Sequence, residues 1–206
     1  MLISTITRPA KPGAFFILYG ILKGYIQYPL LTLRKSKLRS RRIRYSLNRN
    51  LPGDIQDLLS LSIGTYIEMK KMLPQDQALA LIKAIYIPMG LITQMYLFRY
   101  VEEPNHSFEN LIIAAKRYKA EGPMRLNRYH IVEESKKRYV FSVTNCIFMK
   151  PFADHNCPEL KNLFCAVDHA LYNIYSPNRI IFSRGGCHQV MSEGNNSCSY
   201  ICSLME

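Results

Sequence analysis

The chain of 206 residues contains no tryptophan, no acidic residue among its first 50 positions and no cysteine among its first 145. Each absence excludes something. No two cysteines stand in a C-x-x-C pair, so zinc-ribbon and zinc-finger geometry is unsupported. There is no internal repeat and no low-complexity tract, which excludes a solenoid, a collagen-like rod or a chain disordered throughout. The apolar stretch Ala14 to Leu22 is short, runs into Lys23 and is followed by no small-x-small cleavage site, a poor secretory signal. Residues 13–33 are long enough to cross a bilayer but are interrupted by Lys23, Gly24, Gln27 and Pro29, which argues against a spanning helix. A cytoplasmic protein with reduced thiols is therefore expected.

What is present is unevenly distributed. Hydrophobic residues make up 48% of the chain, enough for a buried core. The net charge is +12, from 27 Lys+Arg against 15 Asp+Glu. Eleven of those cations lie in residues 1–50, leaving the remainder at about +1. The expected organisation is a basic N-terminal segment, 1–50, ahead of a single domain, 51–206. Seven cations fall between Arg34 and Arg44 (Arg34, Lys35, Lys37, Arg39, Arg41, Arg42 and Arg44). Two readings stand for this front end. One is a helix packed on the body with a solvated basic face. The other is peripheral attachment of residues 13–44 to an anionic membrane surface. Nucleic acid is not favoured as a partner, because no aromatic residue interleaves the cations between 34 and 44.

The hydropathy pattern predicts helices first and a sheet afterwards. Leu51-Pro52-Gly53-Asp54 breaks the chain, with Asp54 as the expected N-cap of a helix over 55–72. A second helix over about 75–100 is apolar nearly all round and reads as the central one, kinked or divided at Pro88-Gly90. Ser107 caps a third helix, 108–121. Leu126–Ile131 and Tyr139–Phe148 then read as strands about a charged turn, residues 158–172 as a helix, and Ile180–Arg184 and Ser197–Leu204 as closing strands. The expected class is α+β: N-terminal helices, then a small antiparallel sheet with an inserted helix.

The six cysteines (Cys146, Cys157, Cys165, Cys187, Cys198, Cys202) all lie in this last part. Cys146 ends a strand, Cys165 and Asp168 share a helical face three residues apart, and Cys198 follows a turn. A strand end, a helix and a strand can converge on one thiol-lined pocket. Buried free cysteine also simply packs. Asp168 sits in a helix expected to be buried, so it needs either a structural partner or a function.

Five segments together resemble the L-2-amino-thiazoline-4-carboxylic acid hydrolase family. They are Val143-Thr144-Asn145-Cys146, Cys157-Pro158-Glu159-Leu160, Phe164-Cys165-Ala166-Val167-Asp168, Phe182-Ser183-Arg184, and Ser192 through Tyr200. The chain departs from the family pattern at Asn195 and Ser199, where acids are common, and at Tyr200, where phenylalanine is usual. The resemblance implies hydrolytic opening of a small cyclic thiazoline to a carbamoyl-cysteine. That chemistry needs an activated water or nucleophile, a proton donor and a cation for the substrate carboxylate. Cys146, Cys165 and Cys198 are the candidate thiolate nucleophile or soft metal ligands. Asp168 is the candidate base, acting directly or by orienting His169. Arg184 is the candidate carboxylate clamp or an ordinary ion-pair member. Gly194 and Asn195 are the candidate backbone donors toward substrate. A cysteine-bound metal ion is the cofactor such a set would accommodate. The alternative is a non-enzymatic sensor domain binding a small molecule or metal, with membrane attachment through its basic end.

Overall fold

The computed structural model describes residues 14–97, 107–121, 123–176, 178–184 and 196–205. Helices come first and a four-stranded antiparallel sheet follows, so the α+β expectation holds. The front end is two helices, α1 (Ala14–Lys23) and α2 (Pro29–Ser46). The residues that deny a membrane span, Gly24 and Pro29, divide them: Pro29 stands at the start of α2, where its missing N–H costs nothing. Next come α3 (Gly53–Met69), α4 (Gln75–Leu97) and α5 (Phe108–Glu121). Asp54 is not the cap of α3. The helix starts two residues earlier, at Gly53, with Pro52 at the cap position and Asp54 in the first turn. Ser107 does cap α5, its Oγ accepting from the Asn110 N–H at 3.1 Å. Pro88 lies inside a continuous α4 rather than breaking it. Positions 98–100 of that expected helix lie outside the described residues.

Beyond a 3-10 turn at Pro123–Leu126, strands β1 (Arg128–Glu134) and β2 (Arg138–Asn145) form a hairpin. Then come α6 (Met149–Asp154), a 3-10 turn at Pro158–Asn162, α7 (Leu163–Tyr175), β3 (Ile180–Ser183) and β4 (Cys198–Leu204). Two expectations need correction here. Strand β2 ends at Asn145, and the chain turns into α6, whose Phe152 is fully buried and stacks near Phe164. The helix expected from Pro158 starts only at Leu163. The preceding turn is tightened so that Glu159 reaches α3, accepting from Tyr66 Oη at 2.8 Å and Lys70 Nζ at 2.7 Å.

The strand order is β1-β2-β4-β3. Phe141 of β2 sits opposite Tyr200 of β4, and Phe182 of β3 opposite Cys202. Strand β2 is buried at every position from Tyr139 to Val143, since it is an inner strand with β1 and β4 on its two edges.

There are two apolar cores. One gathers Leu18 and Leu22 of α1, Ile43 of α2, and the inner faces of α3 and α4 with Phe152 and Leu163. The other joins Leu111 and Ala115 of α5 and Leu171 and Tyr172 of α7 to the sheet residues Phe141, Phe182 and Tyr200. Two glycines set helix spacing. A Cβ on Gly64 would fall 3.0 Å from Ser40 N and 3.1 Å from Ser36 O, so α2 and α3 touch backbone to backbone there. A Cβ on Gly90 would meet both Val167 methyls at 2.7 Å, so α7 lies directly on α4.

Candidate functional site

A cavity of about 290 Å³ opens on the seam between the two cores, near the lower end of the usual range for small-molecule pockets, about 300–1,000 Å³. The helical core contributes Ile55, Leu58, Tyr86 and Met89; the sheet core contributes Met124, Val143, Cys198 and Tyr200. The close α4–α7 contact at Gly90 and Val167 forms part of its wall. Cys146, Cys165, Cys198 and Asp168, separated by up to 52 positions in sequence, all line it. The mechanism of convergence is local. Cys146 is the first residue past β2, Cys165 and Asp168 are one α7 turn apart, and Cys198 opens β4 beside Val143.

The polar centre is Asp168. Its Oδ2 accepts from Arg184 Nη2 at 2.9 Å and from the Tyr200 hydroxyl at 3.1 Å. All three side chains are buried. Tyr200 does a second thing: the Arg184 guanidinium carbon sits 3.6 Å from its ring centroid, a cation–π stack. The Phe141 ring also stacks on Tyr200, centroids 4.3 Å apart. Burial works against the charge on Arg184, but the Tyr200 and Asp168 oxygens outweigh it and hold the guanidinium pKa above its ordinary value. Burial, reinforced by the Asp168 charge, raises the Tyr200 phenol far above its usual value, so it stays a donor. A buried carboxylate is tolerable only with such partners. Arg184 is not among the side chains that wall the cavity, and its Nε and Nη1 are buried without a hydrogen-bond partner.

The thiols are in a different state. Burial pushes Cys165 up to about 12, against a smaller opposing effect from Arg184. Burial also raises Cys146. Near neutral pH these two are protonated thiols, which are weak nucleophiles. Cys157 and Cys202 are buried away from the cavity wall, and burial raises both. All five described cysteines are free of disulfides. Among the described residues no three His, Cys, Asp or Glu side chains are grouped as a metal site. His169 is exposed, packs edge-on against Phe182 at 5.0 Å and does not reach the cavity wall. Gly194, Asn195 and Cys187 lie outside the described residues.

Sequence reasoning did not name Tyr200 or Asn127 as site residues. The signal for Tyr200 was its departure from the phenylalanine usual in the family, which adds one hydroxyl, and that hydroxyl reaches Asp168. Asn127, on the cavity wall, carries no such signal. Its Oδ1 accepts from the Ile147 N–H at 2.9 Å and so fixes the chain just after Cys146.

Among the described residues the buried Asp168–Arg184 pair thus lies beside an apolar, thiol-lined cavity in an α+β fold. Over residues 58–201, well over half its length, the chain matches the L-2-amino-thiazoline-4-carboxylic acid hydrolase family, and it belongs to that family. No curated protein and no solved structure matches it.

Proposed function

We propose that the cavity binds a small cyclic amino-thiazoline carboxylate and opens its ring by hydrolysis, with Asp168 as the base. Of the two carboxylates on the wall, Asp54 is exposed and Asp168 is buried. That buried carboxylate, held at Oδ2 by Arg184 and Tyr200, is the observation that carries the reading. Burial raises the Cys146 and Cys165 thiols, which makes them poor attacking groups, and the nucleophile is assigned to water activated by Asp168. Asp168 takes a proton from water as its oxygen adds to the ring carbon bearing the amino group. A carbon–oxygen bond forms as the C=N pair shifts to the ring nitrogen. The pair returns as the ring carbon–sulfur bond breaks, Asp168 gives its proton to the departing sulfur, and the remaining hydroxyl proton passes to the ring nitrogen to leave the carbamoyl group. The product is a carbamoyl-cysteine, with no net oxidation or reduction. General-base assistance of this kind is worth about 10²–10⁴-fold. Cys146, Cys165 and Cys198 serve as soft walls around the ring.

Arg184 is a positioning residue in this scheme: its Nη2 holds Asp168 Oδ2, and the guanidinium is not on the cavity wall. The test is to incubate the purified chain with 2-amino-thiazoline-4-carboxylate and with the analogue lacking the carboxylate, following product by mass spectrometry. Turnover of the first is expected, with Arg184→Gln lowering kcat more than it raises KM, because Asp168 loses the partner that positions it. If neither compound binds nor reacts, the proposal is wrong.

A further inference from the structure

The outward face of α2 carries a pattern that the hydrolytic site does not use. Leu31, Leu38 and Tyr45 recur every seven residues and are 48%, 51% and 83% exposed. That spacing returns to nearly the same side of a helix, with a drift of about 20° per repeat. Arg34 and Arg41 stand three residues after the two leucines, and Lys35 and Arg42 four residues after. They therefore form one column of cations on each flank of the apolar stripe. The opposite face of α2 is committed to the body through Thr32, Ser36, Ser40 and Ile43, all buried.

The charges on the two faces are also used differently. Arg39 pairs with Glu68 and Arg44 with Asp57. Arg34, Lys35, Arg41 and Arg42 are exposed and have no ion-pair partner among the described residues. At the N-terminal end of α2 the apolar surface continues through Tyr25, Tyr28 and Leu30, which are 69%, 59% and 58% exposed. A second copy of this face is disfavoured by like-charge repulsion. A flat anionic surface suits it on both counts: the stripe enters the headgroup boundary while the flanking cations reach phosphate.

We propose that the outer face of α2, with the turn at residues 25–30, docks the protein on an anionic lipid surface, the helix lying in the membrane plane. Among the described residues no helix is long and apolar enough to cross a membrane, so the attachment is peripheral. Two kinds of contact act together, as stable surface attachment requires. Each cation near such a surface contributes about 1 kcal/mol, so reversing two of them should weaken binding by well over tenfold.

The chain contains no tryptophan, which makes Tyr45→Trp a background-free reporter of insertion. With phosphatidylcholine vesicles containing phosphatidylserine, its emission should shift to the blue and the protein should co-sediment. Phosphatidylcholine alone should do neither. Arg34→Glu with Arg41→Glu should abolish binding, and Leu38→Ser with Tyr45→Ser should weaken it several-fold. These side chains are exposed, and circular dichroism checks that the variants stay folded. Three results would overturn the proposal: no sedimentation of the full chain with phosphatidylserine vesicles, an unshifted tryptophan emission on them, or full binding by the Leu38→Ser/Tyr45→Ser variant. An acidic protein partner that binds this face while lipid does not would also overturn it.

Discussion

The two halves of the molecule place their charges in opposite ways. In the helical half the buried carboxylate of Glu68, its side chain 5% exposed, meets cations that remain partly in water. Glu68 is held by Lys71 at 2.8 Å and by Arg39, whose side chains are 52% and 37% exposed. In the half built on the sheet, Asp168 and Arg184 meet inside, with side chains 12% and 5% exposed. The first arrangement orients a helix and contributes little energy. The second is costly to build and is retained where a carboxylate is needed out of water. Both carboxylates are buried; what separates them is the burial of the cation and the cavity beside Asp168.

The sharpest way to break this contrast is Arg184→Met, which strands a buried carboxylate. A loss of about 3–5 kcal/mol is expected, measurable by denaturant unfolding. Next is Gly90→Ala. Its methyl would drive into Val167, lifting α7 from α4 and deforming the cavity wall, at a cost of about 1–3 kcal/mol. Ligand affinity should fall with it, because both residues line the site.

Lys119 sharpens the comparison from another side. It is buried over the Phe141 ring at 3.6 Å and donates to the Tyr139 hydroxyl. Burial brings its pKa down to about 8. The unfolded chain therefore holds this proton more tightly than the folded one. Stability should rise with pH from about 8 toward the ordinary lysine value, about 10.4, and Lys119→Met should flatten that slope. The smallest effect belongs to Glu68→Gln, about 1 kcal/mol or less. Burial would raise the Glu68 carboxyl, but hydrogen bonds from Lys71 and Arg39 hold it below its usual value. Its contribution is present above the ordinary carboxylate range and is lost as pH falls through the lowered value, so Glu68→Gln should matter at pH 7 and not in acid.

Much of the fold was legible because it rests on local rules. The Ser107 cap, the period of α3 and α5, and a hairpin about a charged turn follow from nearest-neighbour chemistry, although β1 runs on through Glu133 and Glu134 and the turn is only residues 135–137. The oddity of Asp168 was legible too, since an acid on an apolar helix face is a local conflict. What could not be read were close approaches between distant segments. Gly64 looks like any helical glycine until α2 lies against it. The meeting of Asp168, Arg184 and Tyr200 depends on sheet register, with β3 and β4 paired antiparallel. The short helix α6 was hidden because Phe148 to Phe152 reads equally well as the end of a strand, and only packing against Phe164 decides between the two.

The central claim is that Asp168, not a thiol, performs the proton transfer in this cavity. The most direct measurement compares single-turnover rates on 2-amino-thiazoline-4-carboxylate for the wild-type chain, Asp168→Asn, Cys165→Ser and Cys198→Ser, with folding of each verified by thermal melting. The expected result is a loss of about 10²-fold or more for Asp168→Asn and rates within a few-fold of wild type for both serine variants. A folded Asp168→Asn protein that keeps its rate, alongside a Cys165→Ser or Cys198→Ser protein that loses it, would contradict the claim.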